Sequence, residues 1–262
     1  MCGRYQLHTS PAAWVTALLP GIDVTQLPPL RARYNIAPTQ DVPAIVQRSR
    51  PATPEPASPG VVIDLPDRTH IRELALLRWG LLPAWAKDRS IGASMINARS
   101  ETAHEKVSFR QPLASRRCLL PADGYYEWQR AGKTKQPFHI HGTRGEILWF
   151  AGLWESNSKL GADQQPLRSC TILTQAASET LAPIHDRMPV LVDPALHEVW
   201  LSEETDGRAL LERLIEVGSE TRLAADPISS YVNNARHEGP QCLTPPLDNT
   251  CEDTRPGEAP RT

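Results

Sequence analysis

Twenty-five prolines are spread along this 262-residue chain, and their spacing limits what it can become. Proline fixes φ, has no amide hydrogen and is kept out of helix interiors and central strands. A chain punctuated this often has room for short strands and few long helices. The intervening runs read that way. Val42–Gln47, Glu73–Trp79, Arg117–Leu120 and Phe138–His141 are short strand-like segments bounded by Gly or Pro. Ile147–Trp154 and Ser169–Thr174 read as buried strands, and Met188–Val192 is a further candidate. Helical signals are fewer. Ser100-Glu101 resembles a helix start, Asp193-Pro194 supplies an N-cap and a first-turn proline, and Arg208–Val217 carries Leu210, Leu211, Leu214 and Ile215 at helical spacing. The expected fold class is α+β: a curled, mostly antiparallel mixed sheet with a barrel-like core and peripheral helices.

Residues 49–60, SRPATPEPASPG, lack apolar periodicity and are expected to form a flexible surface loop. The polar, proline-rich stretch 239–262 is expected to be a disordered tail, which leaves one domain over 2–238. Hydrophobic residues at 40% and charged residues at 22% fit a soluble protein. No apolar run is long enough to span a membrane and the first ten residues lack a leader's apolar core, so a cytoplasmic location (nucleoid-associated if bacterial) is expected. A net charge of −2 excludes a generally basic nucleic-acid surface, and any phosphate binding must come from local arginines. The five cysteines contain no CxxC pair, which argues against a zinc site or a disulfide framework. His139-Ile140-His141 has ligand-like spacing, but two histidines are read as structural, and no metal is expected. No glycine-rich phosphate loop is present, so no nucleotide cofactor is expected.

The chain opens MCGRY. Removal of Met1, the usual fate of methionine before a small residue, would leave Cys2 with a thiol and an α-amine on adjacent carbons. The amine's reference pKa of about 7.7–8.0 leaves part of it neutral near pH 7. It can attack an aldehyde to give an imine, and the thiol can then close a five-membered thiazolidine ring intramolecularly. A nearby ammonium is expected to lower the thiol pKa. Arg4 offers a bidentate phosphate donor. Taken alone, MCGR is a weak signal and reads better as an ordinary residue on a frayed terminus.

Three polar clusters bear on that choice. If residues 95–99 are extended, Asn97 and Arg99 share a face, one to orient a backbone group and the other to hold a phosphate. In Asp123-Gly124-Tyr125-Tyr126-Glu127-Trp128, a carboxylate between aromatics is a plausible general acid/base, although strand alternation would set Glu127 opposite Tyr126 and Trp128. In His185-Asp186-Arg187-Met188-Pro189, an extended backbone places His185, a proton shuttle, beside Arg187, a phosphate donor.

MCGRY, Asn35-Ile36-Ala37-Pro38-Thr39, Arg78-Trp79-Gly80-Leu81-Leu82-Pro83-Ala84-Trp85, Asn97-Ala98-Arg99-Ser100-Glu101-Thr102, DGYYEW and His185-Asp186-Arg187-Met188-Pro189 occur in that order. Together they resemble the SRAP (SOS-response-associated peptidase-like) family over roughly residues 2–240. That resemblance implies an abasic-site sensor that binds single-stranded DNA and crosslinks to the lesion's aldehyde as a thiazolidine. By position, Cys2 is implied as the crosslinking residue and as the nucleophile of any proteolytic removal of Met1, and Asn97 as the group orienting the α-amine. Glu127 is implied as general acid/base and His185 as helper in sugar ring opening. Arg4, Arg99 and Arg187 are implied as phosphate holders, and Pro38, Trp85 and Thr174 as further DNA contacts. Trp85-Ala86 replaces the two adjacent tryptophans of many members, which implies a smaller wedge against the bases. Replication-fork proteins stand as candidate further partners, no cofactor is implied, and a monomer is the default. β-Elimination at the lesion is implied as a minor lyase activity.

Two other readings use the same residues. An N-terminal-nucleophile cysteine peptidase or amidohydrolase would employ Cys2, His185, Glu127 and Asn97, though the arginines around them disfavour general peptide substrates. A non-catalytic interaction protein would leave the ordered motifs unexplained.

Overall fold

The computed structural model describes residues 2–27, 29–51, 60–132, 134–162, 165–219 and 221–246. In chain order the strands and helices are β1 (Tyr5–Leu7), β2 (Arg33–Ile36), β3 (Asp41–Ser49), β4 (Val61–Asp64), β5 (His70–Trp79), β6 (Asn97–Arg99), α1 (Ser100–Ala103), α2 (Val107–Ser115), β7 (Arg117–Ala122), β8 (Gly124–Ala131), β9 (Thr134–Gly142), β10 (Leu148–Ala162), β11 (Gln165–Ala176), β12 (Arg187–Pro189), α3 (His197–Leu201), α4 (Gly207–Val217) and β13 (Leu223–Pro227). The fold is α+β. One sheet has the order β13-β9-β8-β1-β2, and the second runs β12-β11-β10-β7-β3-β5-β4. A parallel pairing of β11 with β5 at Ser169↔Arg78 and Cys170↔Trp79 joins the second sheet to itself. Strands β11, β10, β7, β3 and β5 therefore form a closed ring, the barrel-like core expected of a curled sheet.

The ring is filled by large apolar side chains. Tyr5, Trp79, Phe150 and Trp200 are fully buried, and Tyr5 meets both Trp79 and Phe150 edge-on. Buried charges are paired. Arg72 forks onto Glu198 and also donates to Gln47, while Glu73 accepts from Arg168 at 2.7 Å. The other sheet is covered on both faces. Tyr125 joins the main core, whereas Tyr126, the next residue, turns to a second cluster with Ile228, Val232 and Cys242.

Three expectations are corrected. Strands run longer than the punctuation implied, through Pro121 in β7 and Pro137 in β9, because a proline is tolerated where its missing N–H needs no partner. The strand expected at Met188–Val192 is regular only over Arg187–Pro189. Beyond it the backbone alternates partners, with Val190 donating to Leu173 and accepting from Ala151, while Val192 donates to Trp149. Finally, the packed chain does not stop at 238. Pro240–Leu243 forms a short 3-10 helix with Cys242 buried, and Ser229 N–H donates to Thr244 O at 2.8 Å. Residues 52–59 of the expected loop and 247–262 of the expected tail lie outside the described residues.

Candidate active site

The site is built where β11 ends. Toward its C-terminus β11 pairs on one edge with β6, in parallel, through Ile172↔Asn97, Leu173↔Ala98 and Thr174↔Arg99. It also pairs with β12, antiparallel, through Thr174↔Pro189 and Ala176↔Arg187. One strand end thus carries both the Asn97–Arg99 segment and the Arg187 segment. β6 is extended over Asn97–Arg99. Ala98 is buried between the half-buried Asn97 and the exposed Arg99, which share a face. The segment is held from behind, because Trp79 Nε1–H donates to Ile96 O at 2.9 Å and Leu81 N–H to Met95 O. Gly80 makes this possible. Its φ of +122° and its approach to Gly92 O, 2.6 Å from where a Cβ would sit, admit no side chain.

Cys2 reaches this point along β1. Tyr5↔Tyr125 and Gln6↔Gly124 set the register of β1 on β8, and Tyr126 N–H donates to Arg4 O, so that Glu127 lies beside the start of the chain. Asn97 Nδ2 donates to the backbone carbonyl of Cys2 at 2.8 Å. The amide therefore holds the carbonyl of Cys2, not its nitrogen, and Asn97 Oδ1 is buried with no hydrogen-bond partner among the described residues. Cys2 is fully buried, and its Sγ lies 3.9 Å from Arg4 O. Burial first, and then the charge of Glu127, push the thiol pKa well up. With Met1 still attached, desolvation outweighs the pull of the nearby ammonium, whereas the lowering was expected for Cys2 carrying its own free amine.

Glu127 is 3% exposed. Burial raises its carboxyl pKa, and the charge of His185 acts in the opposite direction. The burial was foreseen, but not its source: Tyr126 and Trp128 face the other way, and the neighbour on the Glu127 side is Tyr125. The Tyr125 phenol feels the charges of both Cys2 and Glu127, and its Oη is buried without a hydrogen-bond partner among the described residues. Sequence reasoning missed this residue, and strand alternation around Glu127 was the signal that could have found it.

His185 sits in the turn before β12. Its Nδ1 faces two partners, the Arg187 N–H at 3.0 Å and the Asp186 carboxylate at 2.9 Å. The neutral ring accepts from Arg187 with its proton on Nε2, whereas the protonated ring donates Nδ1–H to Asp186. Gln129 Nε2 donates to Pro183 O at 3.0 Å and ties this turn to β8.

A family model described as SOS response associated peptidase (SRAP) matches residues 1–235. The chain belongs to the SRAP family. Among relatives, "Abasic site processing protein YoqW" of Bacillus subtilis (strain 168) is 36% identical over 248 residues, 93% of this chain and 99% of that one. "Abasic site processing protein HMCES" of Gallus gallus is 31% identical over 242 residues, 82% of this chain and 66% of that one. A crystal structure of a protein from Bacteroides thetaiotaomicron aligns with a TM-score of 0.70 at 20% identity, over 94% of this chain and 100% of that one, a likeness of fold.

The remaining site residues of this SRAP chain divide by what already holds them. Arg99 is exposed, with no hydrogen bond or ion pair among the described residues. Arg4 is half-buried instead. Its Nη1 donates to Asn35 Oδ1 at 2.7 Å and to Val232 O at 3.0 Å, its guanidinium lies 5.9 Å from the Trp128 ring centre, and burial lowers its pKa. Arg187 forks onto Glu101, and Thr174, buried against it, accepts from the same guanidinium. Pro38 precedes Thr39, whose φ of +71° turns the chain so that its N–H reaches Trp79 O and its carbonyl accepts from Arg78. Trp85 is 49% exposed. Ala86 is buried, with its carbonyl held by Asn157 Nδ2 at 3.0 Å, so a second tryptophan would have no room there without a shift of the loop. Each of the paired histidines has a partner within the protein: His139 contacts Gln6, His141 contacts Asp226, and their rings stack.

Proposed function

We propose that this protein recognises abasic sites in single-stranded DNA and bonds to their aldehyde through Cys2 once Met1 has been removed. The observation that carries this reading is the convergence at one strand end of Cys2, Asn97, Glu127 and His185, with Asn97 bonded to Cys2 itself. The α-amine of Cys2 adds to the C1′ aldehyde of the ring-opened sugar. The resulting carbinolamine loses water, with one proton supplied by the protein, to give an iminium ion, and the thiol sulfur adds to the iminium carbon as it gives up its proton. Glu127, kept closer to its protonated form by burial, supplies the proton that departs with water and recovers one from the thiol. Asn97 Oδ1 is the free acceptor for the amine. His185, whose Nδ1 lies between the Arg187 amide and the Asp186 carboxylate, serves sugar ring opening. Arg99 and Trp85 are the exposed groups for phosphate and base, and β-elimination from the imine is a minor outcome.

A cysteine peptidase using the same residues needs the thiol as the first nucleophile. The buried, upward-shifted Cys2 thiol favours an amine-first route instead. The test is incubation with a single-stranded oligonucleotide carrying one abasic site, read on a denaturing gel and by intact mass. The expected product is the protein without Met1 plus the DNA, less one water, and it is absent for Cys2→Ala. No adduct with wild type, or an adduct that survives Cys2→Ala, overturns the reading.

A further inference from the structure

The Arg187 guanidinium is already occupied. Nη1 donates to Glu101 Oε1 at 2.6 Å and Nη2 to Glu101 Oε2 at 2.9 Å, a planar two-pronged pairing that matches the way a guanidinium holds two phosphate oxygens. Nη2 also donates to Thr174 O at 2.6 Å. The two partners differ in how firmly they are fixed. Arg187 is 13% exposed and braced on the buried Thr174, whereas the Glu101 side chain is 52% exposed on the first turn of α1, a helix of four residues. The carboxylate can swing into water while the guanidinium stays in place.

We infer that Glu101 is a latch that stands in for a DNA phosphate at Arg187 in the free protein and gives way when the strand binds. The inference rests on the reading above that single-stranded DNA is the ligand. The carboxylate keeps the Arg187 fork pre-shaped for an anion and cancels its charge until a phosphate competes for the site. Arg99, exposed and directly paired in register with Thr174, is the cation open at first encounter, and Arg187 is engaged second. Non-lesion DNA that contacts Arg99 alone is held weakly, and a strand seated deeply enough to displace Glu101 gains the second contact. Glu101 acts through Arg187 and is a positioning residue.

The test compares Glu101→Gln with wild type, each also in an Arg187→Gln background, for binding of an oligothymidylate strand over a salt series. Glutamine keeps the shape and one acceptor but removes the competing charge. Glu101→Gln should bind about two- to fivefold more tightly, the range of a half-exposed ion pair. Its log–log salt slope should steepen by about 0.7, the value for one more phosphate on a single strand. Both gains should vanish in the Arg187→Gln background. Equal gains in both backgrounds would mean only that a negative charge had been removed, and the latch is overturned. Unchanged or weaker binding by Glu101→Gln overturns it too, with melting temperatures confirming that the variants fold. Wild type that fails to bind the strand overturns the proposed ligand as well, an outcome distinct from failure of the latch alone.

Discussion

At the scale of single residues, Glu127 shows most clearly how burial becomes chemistry. A carboxylate beside a buried thiol and a buried phenol is poorly solvated, so its pKa rises and it holds a proton where an exposed glutamate would not. General acid–base groups contribute about 10²–10⁴-fold in rate, so Glu127→Gln should slow crosslinking to an abasic-site strand by about 10²-fold, measured by quenched time points on a gel. The same change should stabilise the fold near neutral pH. A group whose folded pKa is raised contributes stability that is complete below its unfolded value and is lost as pH rises through the folded value. The melting curves of wild type and Glu127→Gln should therefore lie closest in acid, below the usual carboxylate range, and separate as pH rises, with the variant more stable. Coincident curves at every pH would remove the strain on this carboxylate from the account. Cys2 and Glu127 could be named from the sequence because their chemistry is local to a motif. Tyr125 could not, because its place depends on which face of β8 meets Cys2.

Among elements, the segment after β13 does more than sequence reasoning allowed. Asn35 on β2, 1% exposed, donates through Nδ2 to Asn234 O at 3.0 Å and His237 O at 2.9 Å, with Val232 O at 3.3 Å. Its Oδ1 accepts from Arg4. One side chain thus joins the start of the chain to its last described turns. Asn35→Ala removes one acceptor from the Arg4 guanidinium, which keeps Val232 O, and one donor from each of the carbonyls of Val232, Asn234 and His237, at about 0.5–1.5 kcal/mol for each hydrogen bond lost. A loss of about 2–4 kcal/mol in urea unfolding is expected on that basis, together with slower crosslinking because Arg4 lies two residues from Cys2. Strands such as β3, β5 and β11 were legible because their apolar runs are long. β1, β2 and β13 were not, since each is short and semi-polar and becomes a strand only by pairing with a distant partner. The polar composition of 239–246 concealed its packing in the same way: a few side chains anchor it, with no periodic face to read.

For the molecule as a whole, acid tolerance depends on the contact that Gln6 of β1 makes with His139 of β9 across Gly124 of the intervening β8. His139 Nε2 lies 2.6 Å from the Gln6 amide nitrogen, which donates to it, so the ring must be neutral to accept. Burial, reinforced by His141, lowers its pKa from 6.5 to about 4. Depressed in the folded state, His139 contributes stability that is present above pH 6.5 and is lost as pH falls towards about 4. Wild type should lose on the order of 2 kcal/mol across that window, allowing for partial solvent screening, while His139→Gln should lose less. Urea midpoints at pH 7 and pH 4.5 decide it, and equal losses for both proteins would exclude His139 as the source. The α+β class and the barrel were legible from strand spacing. The closure of the ring was not, because the β11–β5 pairing joins Ser169 and Cys170 to Arg78 and Trp79 across most of the core.

The bonds from Arg4 and Asn35 to Val232, Asn234 and His237 also fix an order of events during synthesis. Translation makes Arg4 and Asn35 well before Val232, Asn234 and His237, so the nascent chain carries the Cys2 segment with these partners still unmade. Methionine trimming can act on that open end as it leaves the ribosome. Only after residues 232–237 emerge can these bonds form, so the segment that carries Cys2 is open to processing enzymes early and is packed in place later.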